Sequence, residues 1–287
     1  MDHRLADLLK LLQLERLEVN LFRGESRDIG NPQVFGGQVL GQALTAASAT
    51  VKDRIVHSLH AYFLRRGDCR APIVYHVDQS RDGHSFSSRR VTAIQNGEQI
   101  FNMAASFQVM EAGFDHQIDM PDVPPPESLV STDLPLTLLP MERVPARSGG
   151  KIETSRPFEF RLVPPPESRP GSKALPARRV WFRAVDQLPD DEALHRQMLA
   201  YVSDYNLLDT SMLPHGTSSA GNRIVMASID HAMWFHRPLR VDDWLLYDVN
   251  SPSASGARGF ARASVFARDG RLVASTAQEG LIRIVRS

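Results

Sequence analysis

A single cysteine, Cys69, stands in a chain of 287 residues. One cysteine forms no internal disulfide, and the count fits a reducing compartment. Cys69 lies in Gly67-Asp68-Cys69-Arg70, the composition of a turn. It reads as a small, partly buried hydrophobe rather than a nucleophile. No stretch approaches the roughly 18 uninterrupted apolar residues of a membrane-spanning helix, so no span is expected. Net charge is missing too: 33 Lys+Arg balance 33 Asp+Glu. That balance exerts no global pull on nucleic acid or an acidic membrane, and nucleic acid is not an expected partner. The usual chemical signatures are also absent. There is no His-Glu-x-x-His, no cysteine pair for zinc and no Walker loop. Gly216-Thr217-Ser218-Ser219-Ala220 fails the nucleophile-elbow pattern at its last position. No metal and no cofactor are expected.

The first twenty residues mix acids and bases among leucines and do not follow the layout of a signal peptide. Leu5, Leu8, Leu9 and Leu12 fall instead at helical spacing, which predicts a short amphipathic helix laid on the body. The final Ile284-Val285-Arg286-Ser287 is not a peroxisomal address, and cytoplasm is the expected compartment.

What the sequence does contain is a repeat. His60-Ala61-Tyr62-Phe63-Leu64-Arg65-Arg66 is matched by His231-Ala232-Met233-Trp234-Phe235-His236-Arg237, an offset of 231 − 60 = 171. Tyr75 matches Tyr247 (247 − 75 = 172), Phe86 matches Phe260 (260 − 86 = 174), and Asn96-Gly97 matches Asp269-Gly270 (269 − 96 = 173). Landmarks that keep their order and spacing to within three residues indicate duplication. Each copy opens with a short strand, at 17–22 and 180–183, and continues with a helix, at 35–51 and 191–208. Asp190 or Asp191 is the expected N-cap of the second helix, since a short acidic side chain accepts from the first free N–H groups. Strands follow at 55–64 and 224–235, rich in β-branched and aromatic residues. Asn96-Gly97 and Asp269-Gly270 are hairpin signals. They make 87–94 and 99–107 antiparallel neighbours, and likewise 259–267 and 272–284. A helix followed by an antiparallel meander gives a sheet that curls around that helix. Two such units, joined edge to edge, remove an exposed strand edge. Thirteen of the 19 prolines fall between Glu111 and Arg178. Proline withholds a ladder donor and stiffens the chain. The expected division is a first unit at 1–110, a proline-rich linker at 111–178 and a second unit at 179–287.

The candidate chemistry rests on polar residues in otherwise apolar elements of the second copy. Asp204 follows Leu194, Met198, Tyr201 and Val202, and lies about 100° from the centre of their apolar face. A solvated helix charge is the plain alternative. The first copy's helix, however, has no carboxylate at all. Ser228 and Gln278 sit in strands, where each alone reads as a satisfied hydroxyl and an edge amide. Gly36-Gly37-Gln38 opens the first helix, and glycines there permit close packing or close ligand approach.

Taken together, Phe35-Gly36-Gly37-Gln38-Val39, the 57–64 and Arg81–Phe86 stretches, Asp230-His231-Ala232-Met233-Trp234-Phe235-His236-Arg237-Pro238 and Ser275–Gly280 resemble the acyl-CoA thioesterase II family, from about Leu8 to Arg283. The resemblance implies an α+β, tandem double hot-dog fold and an acyl-CoA substrate. It implies a homodimer or homotetramer. It also implies a catalytic set of Asp204, Ser228 and Gln278, with Asp204 activating water and no covalent intermediate. Bacterial relatives often carry Thr where this chain has Ser228. His57, Gly37 and Gln38 are placed in a second tier. At the 171 offset His57 occupies the position of Ser228, so one site per chain is expected. A non-catalytic acyl-CoA binder and a hot-dog enoyl-CoA hydratase are the alternatives. The hydratase wants an Asp with a nearby His, and His231 directly follows Asp230, so their side chains point to opposite sheet faces.

Overall fold

The computed structural model describes residues 1–28, 33–131, 156–165, 174–215 and 223–285. The 216–220 stretch that fails the elbow pattern lies outside them. Three α-helices form: α1 (His3–Leu12), α2 (Gly36–Ser48) and α3 (Glu192–Ser203). The strands are β1 (Glu15–Glu18), β2 (Leu21–Gly24), β3 (Ile55–Phe63), β4 (Ile73–Asp82), β5 (Phe86–Gln95), β6 (Glu98–Gln108), β7 (Phe158–Val163), β8 (Ala177–Ala184), β9 (Arg223–Ser228), β10 (Asp230–Phe235), β11 (Leu245–Ser255), β12 (Arg258–Ala267) and β13 (Leu272–Val285). They make one sheet, ordered β1-β2-β4-β5-β6-β3-β10-β13-β12-β11-β8-β7, with β9 also on β13. The order is a mirrored pair. Each half is a meander around a helix, and the halves meet where β3 pairs antiparallel with β10, Leu59 opposite Met233 and Ala61 opposite His231. This is the tandem double hot-dog.

The helices occupy the concave side. Leu5, Leu8, Leu11 and Leu12 bury one face of α1, with Leu9 packed at its margin. Helix α2 is buried nearly all round by Val39, Leu40, Ala43, Leu44, Ala46 and Ala47, as a helix enclosed by its own sheet must be. It runs antiparallel to α3. A Cβ on Gly37 would collide with the Tyr201 carbonyl, and one on Gly41 would meet Gln197 O at 3.4 Å. Bare Cα atoms therefore set how closely the two helices approach. A single core cluster runs through both units.

Several boundaries differ from the expectation for identifiable reasons. The 17–22 strand is two strands, β1 and β2, separated by a turn at Val19 and Asn20. Asp191 does cap α3, accepting from Ala193 N and Leu194 N. The helix ends at Ser203 instead of 208, because Asn206 takes φ 62° and breaks the helical path. A 3-10 segment, Leu208–His215, follows. In the hairpins Asn96 and Gly97 both have positive φ, whereas in the second only Gly270 does. The 224–235 strand is broken at Ile229 into β9 and β10.

Residues 158–163, inside the proline-rich segment, form β7 on β8. Residues ahead of β7 cover the outer face of the second sheet half. Met120, Val123 and Leu129 pack on a cluster of Val163, Trp181, Trp244, Leu246 and Phe266. The Trp181 indole donates to Pro124 O at 3.0 Å.

The close helix approach yields a stability prediction. Gly37→Ala forces α2 away from α3 and should cost about 1–3 kcal/mol, as overpacking does. Gly113→Ala, with nothing within 4 Å of the added methyl, should leave the thermal midpoint unchanged. Thermal unfolding of both variants checks this.

Candidate active site

The α2–α3 contact brings the start of one helix against the end of the other. Asp204 is the C-cap residue of α3, at φ −79° and ψ −8°, and is partly buried. The N-cap position of α2 is Phe35, whose side chain accepts no hydrogen bond. The missing cap is supplied by the other unit. The Asp204 carboxylate accepts from the Gly37 N–H, where the helix presents unpaired donors and its positive dipole end. A Cβ on Gly36 would lie 2.7 Å from Asp204 Oδ2, so glycine at this position clears the carboxylate's place.

Gln278 completes the cluster from β13. Its Nε2 donates to Asp204 Oδ1 at 2.7 Å and lies 3.2 Å from Ser228 Oγ and 3.2 Å from His231 Nδ1. The broken strand explains why these side chains meet. Ala232 opposes Ala277 and Ser228 opposes Gly280, so the register slips by one residue between them. Asp230 Oδ1 accepts the Glu279 N–H at 2.6 Å in place of a ladder bond. Three residues apart on a regular strand, Ser228 and His231 would point to opposite faces. The one-residue bulge turns both toward Gln278, the re-aiming that bulges near sites provide.

The three expected residues are thus in one cluster. Of His57, Gly37 and Gln38, only Gly37 joins it, through its backbone. Gln38 holds the chain ahead of α2: its Oε1 accepts from Arg27 N at 3.2 Å and its Nε2 donates to Glu25 O at 3.2 Å. Gly37 N–H serves Asp204. His57 bonds Ser106 Oγ at 2.8 Å and stacks edge-on to Phe86. Its neighbour Val56 offers its carbonyl to Arg196, two turns up α3 from Asp204, a rise of about 12 Å.

The equivalence of His57 with Ser228 needs correction. Val56 opposes Phe107 across β3 and β6 just as Ser228 opposes Gly280 across β9 and β13. The offset at this point is 228 − 56 = 172, the same as Tyr75 to Tyr247. Val56 is therefore the counterpart of Ser228. His57 is the counterpart of Ile229, and both lie at a bulge. At the same offset Leu59 is the counterpart of His231. By the neighbouring ladder, Ala105, opposite Leu59, corresponds to Gln278. The α2 C-cap, Ala49, corresponds to Asp204. Where the second unit is polar, the first is apolar.

His231 is not among the expected site residues. The structure places it instead against Gln278 and fully buries it. Ser203 Oγ donates to Ala200 O at 2.9 Å, so it accepts from His231 Nε2–H at 3.0 Å. His231 Nδ1 is then the bare acceptor facing Gln278. Burial holds its pKa down at about 3, so the ring is neutral. Tyr247 donates its phenol proton to Ser203 O at 2.8 Å, satisfying a last-turn carbonyl of α3.

Electrostatically, Asp204 is pulled two ways. Burial raises its pKa from 3.8 to about 6. The donors Gln278, Gly37 and Ser228 pull down, and nearby Asp209 pushes up. Asp209 is itself buried and raised to about 6 against the pull of Arg178. The Gln278 Oε1 is buried and has no hydrogen-bond partner among the described residues. Among those residues, no group of three or more His, Cys, Asp and Glu is arranged to hold a metal ion, and no helix is long and apolar enough to cross a membrane.

Comparison with known proteins places the chain in a family. Residues 149–281 match the family model described as acyl-CoA thioesterase, and residues 23–108 the one described as acyl-CoA thioesterase N-terminal domain. The chain is 42% identical to acyl-CoA thioesterase 2 of Haemophilus influenzae over 99% of both chains. It belongs to the acyl-CoA thioesterase family. A rat relative, acyl-coenzyme A thioesterase 8, is 41% identical over 98% of this chain and 90% of its own. The solved acyl-CoA thioesterase II TesB2 of Mycobacterium marinum superposes with TM-score 0.80 at 42% identity, over 97% of this chain and 98% of that one. A hot-dog protein from Alicyclobacillus acidocaldarius superposes with TM-score 0.77 at 19% identity, over 98% and 99%, which speaks for the fold alone.

The raised carboxyl predicts a pH signature in stability. A folded pKa of about 6 above an ordinary 3.8 means that Asp204 contributes its stabilising share fully below the unfolded value. That share is lost as pH rises through about 6. Asp204→Asn lacks the titration, so between pH 4.5 and pH 8 the variant should gain on wild type by roughly 1–3 kcal/mol. Urea unfolding of both proteins at the two pH values measures the gap.

Proposed function

We propose that this chain hydrolyses fatty acyl-CoA thioesters to the free acid and CoA, with one site per chain and Asp204 as general base. The observation that carries the mechanism is the carboxylate of Asp204. It is poised near neutrality and bonded to an amide that also reaches Ser228. Attack by water on the thioester carbonyl forms the C–O bond, and Asp204 takes the water's proton. Collapse breaks the C–S bond. A simple thiol has a pKa of about 8.5, so the thiolate leaves without a strong general acid. The proton on Asp204 then passes to the sulfur or to solvent. Ser228 and Gln278 hold the carboxylate and the water in line, and the unpartnered Gln278 Oε1 is an acceptor ready for a water proton. No acyl-enzyme is needed. The apolar counterparts Ala49, Val56 and Ala105 support a site in the second unit alone.

The family resemblance supports a homodimer or homotetramer. Two catalytically unequal units agree with this reading, the second beginning at β7 (Phe158–Val163), inside the expected linker of 111–178.

The test is thiol release from short- to long-chain saturated acyl-CoAs and one enoyl-CoA. Wild type should release thiol, and Asp204→Asn should lose about 10²–10⁴-fold in kcat, the usual worth of a general base. KM should change little. The wild-type kcat/KM should fall as pH drops below about 6, where Asp204 takes up a proton. Binding without thiol release would make the chain an acyl-CoA binder. Loss of the enoyl double bond with the thioester intact would make it a hydratase.

A further inference from the structure

The Gln278 amide nitrogen has three acceptors around it, Asp204 Oδ1, Ser228 Oγ and His231 Nδ1, while its oxygen has none. We propose that His231 is a positioning residue for this hydrolysis: its neutral Nδ1 fixes which way the Gln278 amide faces, keeping the NH₂ on Asp204 and the oxygen toward the water. This rests on the general-base reading above.

Three observations carry it. First, the tautomer is set from behind. Ser203 spends its proton on Ala200 O and therefore takes the one on His231 Nε2, which leaves Nδ1 as acceptor only. A turned amide would set its oxygen against that lone pair and against the carboxylate. Second, the imidazole sits where packing does not call for it. Its first-unit counterpart, Leu59, is equally buried and purely apolar. Burying an imidazole in place of leucine costs free energy unless its nitrogens are bonded, and both of these are. Third, His231 reaches the inner face only through the bulge at Ile229, the same irregularity that aims Ser228.

The ionisable groups around Asp204 are Tyr201 and Tyr205 on α3 and its end, Asp209 on the following 3-10 segment, Tyr247 on β11 and His231 on β10, with Arg178 of β8 beside Asp209. Burial raises the pKa of all three tyrosines, so near pH 6 only the two aspartates titrate. Freed from His231, the amide turns in part of the population and sets its oxygen against Asp204, which disfavours the carboxylate.

The experiment compares His231→Leu, His231→Asn and Ser203→Ala with wild type and Asp204→Asn, by acyl-CoA kinetics across pH 5–9 with unfolding midpoints recorded. His231→Leu copies the first unit's residue. It should lower kcat about 10–100-fold with KM within twofold, and move the acid limb of the profile to higher pH. His231→Asn, whose Oδ1 presents an acceptor close to the Nδ1 place, should recover most of the rate and the original limb. Ser203→Ala tests the same tautomer without touching Gln278, and should show a smaller loss even if His231→Leu fails to fold. Wild-type kcat and an unmoved limb in folded His231→Leu would overturn the proposal. So would a folded His231→Asn no better than His231→Leu. Full activity in Asp204→Asn would instead bring down the general-base reading beneath it.

Discussion

A carboxylate from one unit caps a helix of the other, and the rest of the site is arranged around that contact. Asp204 does for α2 what an N-cap side chain of its own would do, because Phe35 cannot. The contact requires two helices close enough for a C-cap to reach a foreign first turn. That closeness requires bare Cα atoms at Gly36, Gly37 and Gly41, and the β3–β10 seam that fuses the two sheets. Burial raises the free energy of the carboxylate, and three donors lower it. The balance leaves its pKa raised to about 6, a value that the proposed general base requires and that a fully solvated or a fully paired aspartate does not reach.

Under the proposed mechanism only the second copy carries the chemistry. The counterparts of Asp204, Ser228, His231 and Gln278 in the first unit are Ala49 at the matching helix end and Val56, Leu59 and Ala105 at matching ladder positions, all small or apolar. The first unit keeps its own buried polar pair, Tyr75 donating to Gln42 Oε1 at 2.7 Å, but that pair is spent on structure, with Gln42 Nε2 on Leu11 O and Glu25 O. A surface cavity of about 710 Å³ on the second unit, around Arg240 and Trp244 and lined by none of the site residues, has its arginines in internal ion pairs: Arg183 with Glu159, Arg240 with Asp190 and Asp242, Arg268 with Glu127, Arg271 with Asp269.

The repeat, the enclosed helices, the hairpin turns and the Asp191 cap were legible in the residues because each follows from a local pattern. The proposed trio came through family resemblance, with the helix carboxylate as the one independent hint, and its clustering could not be read from the residues. What the residues hid turns on a bulge and on one residue of offset. The bulge at Ile229 aims Ser228 and His231 at one point, and Ile229 carries no mark of its own. It recurs at His57, so the offset is 172 on both sides of it, and matching His60 with His231 at 171 made His57 the partner of Ser228. Strand β7 was masked by the prolines that flank it. The end of α3 was displaced by Asn206, a residue whose left-handed backbone only the surrounding packing selects.

The most direct test of the account is where the oxygen of water goes. In a single turnover of acyl-CoA by excess enzyme in ¹⁸O-labelled water, mass spectrometry of the released acid and of the peptide holding Asp204 reads the path. Direct attack by the water that Asp204 activates puts one label in the fatty acid and none in the protein. Label in the Asp204 carboxylate would mean that the aspartate itself had attacked the thioester, and would contradict the account.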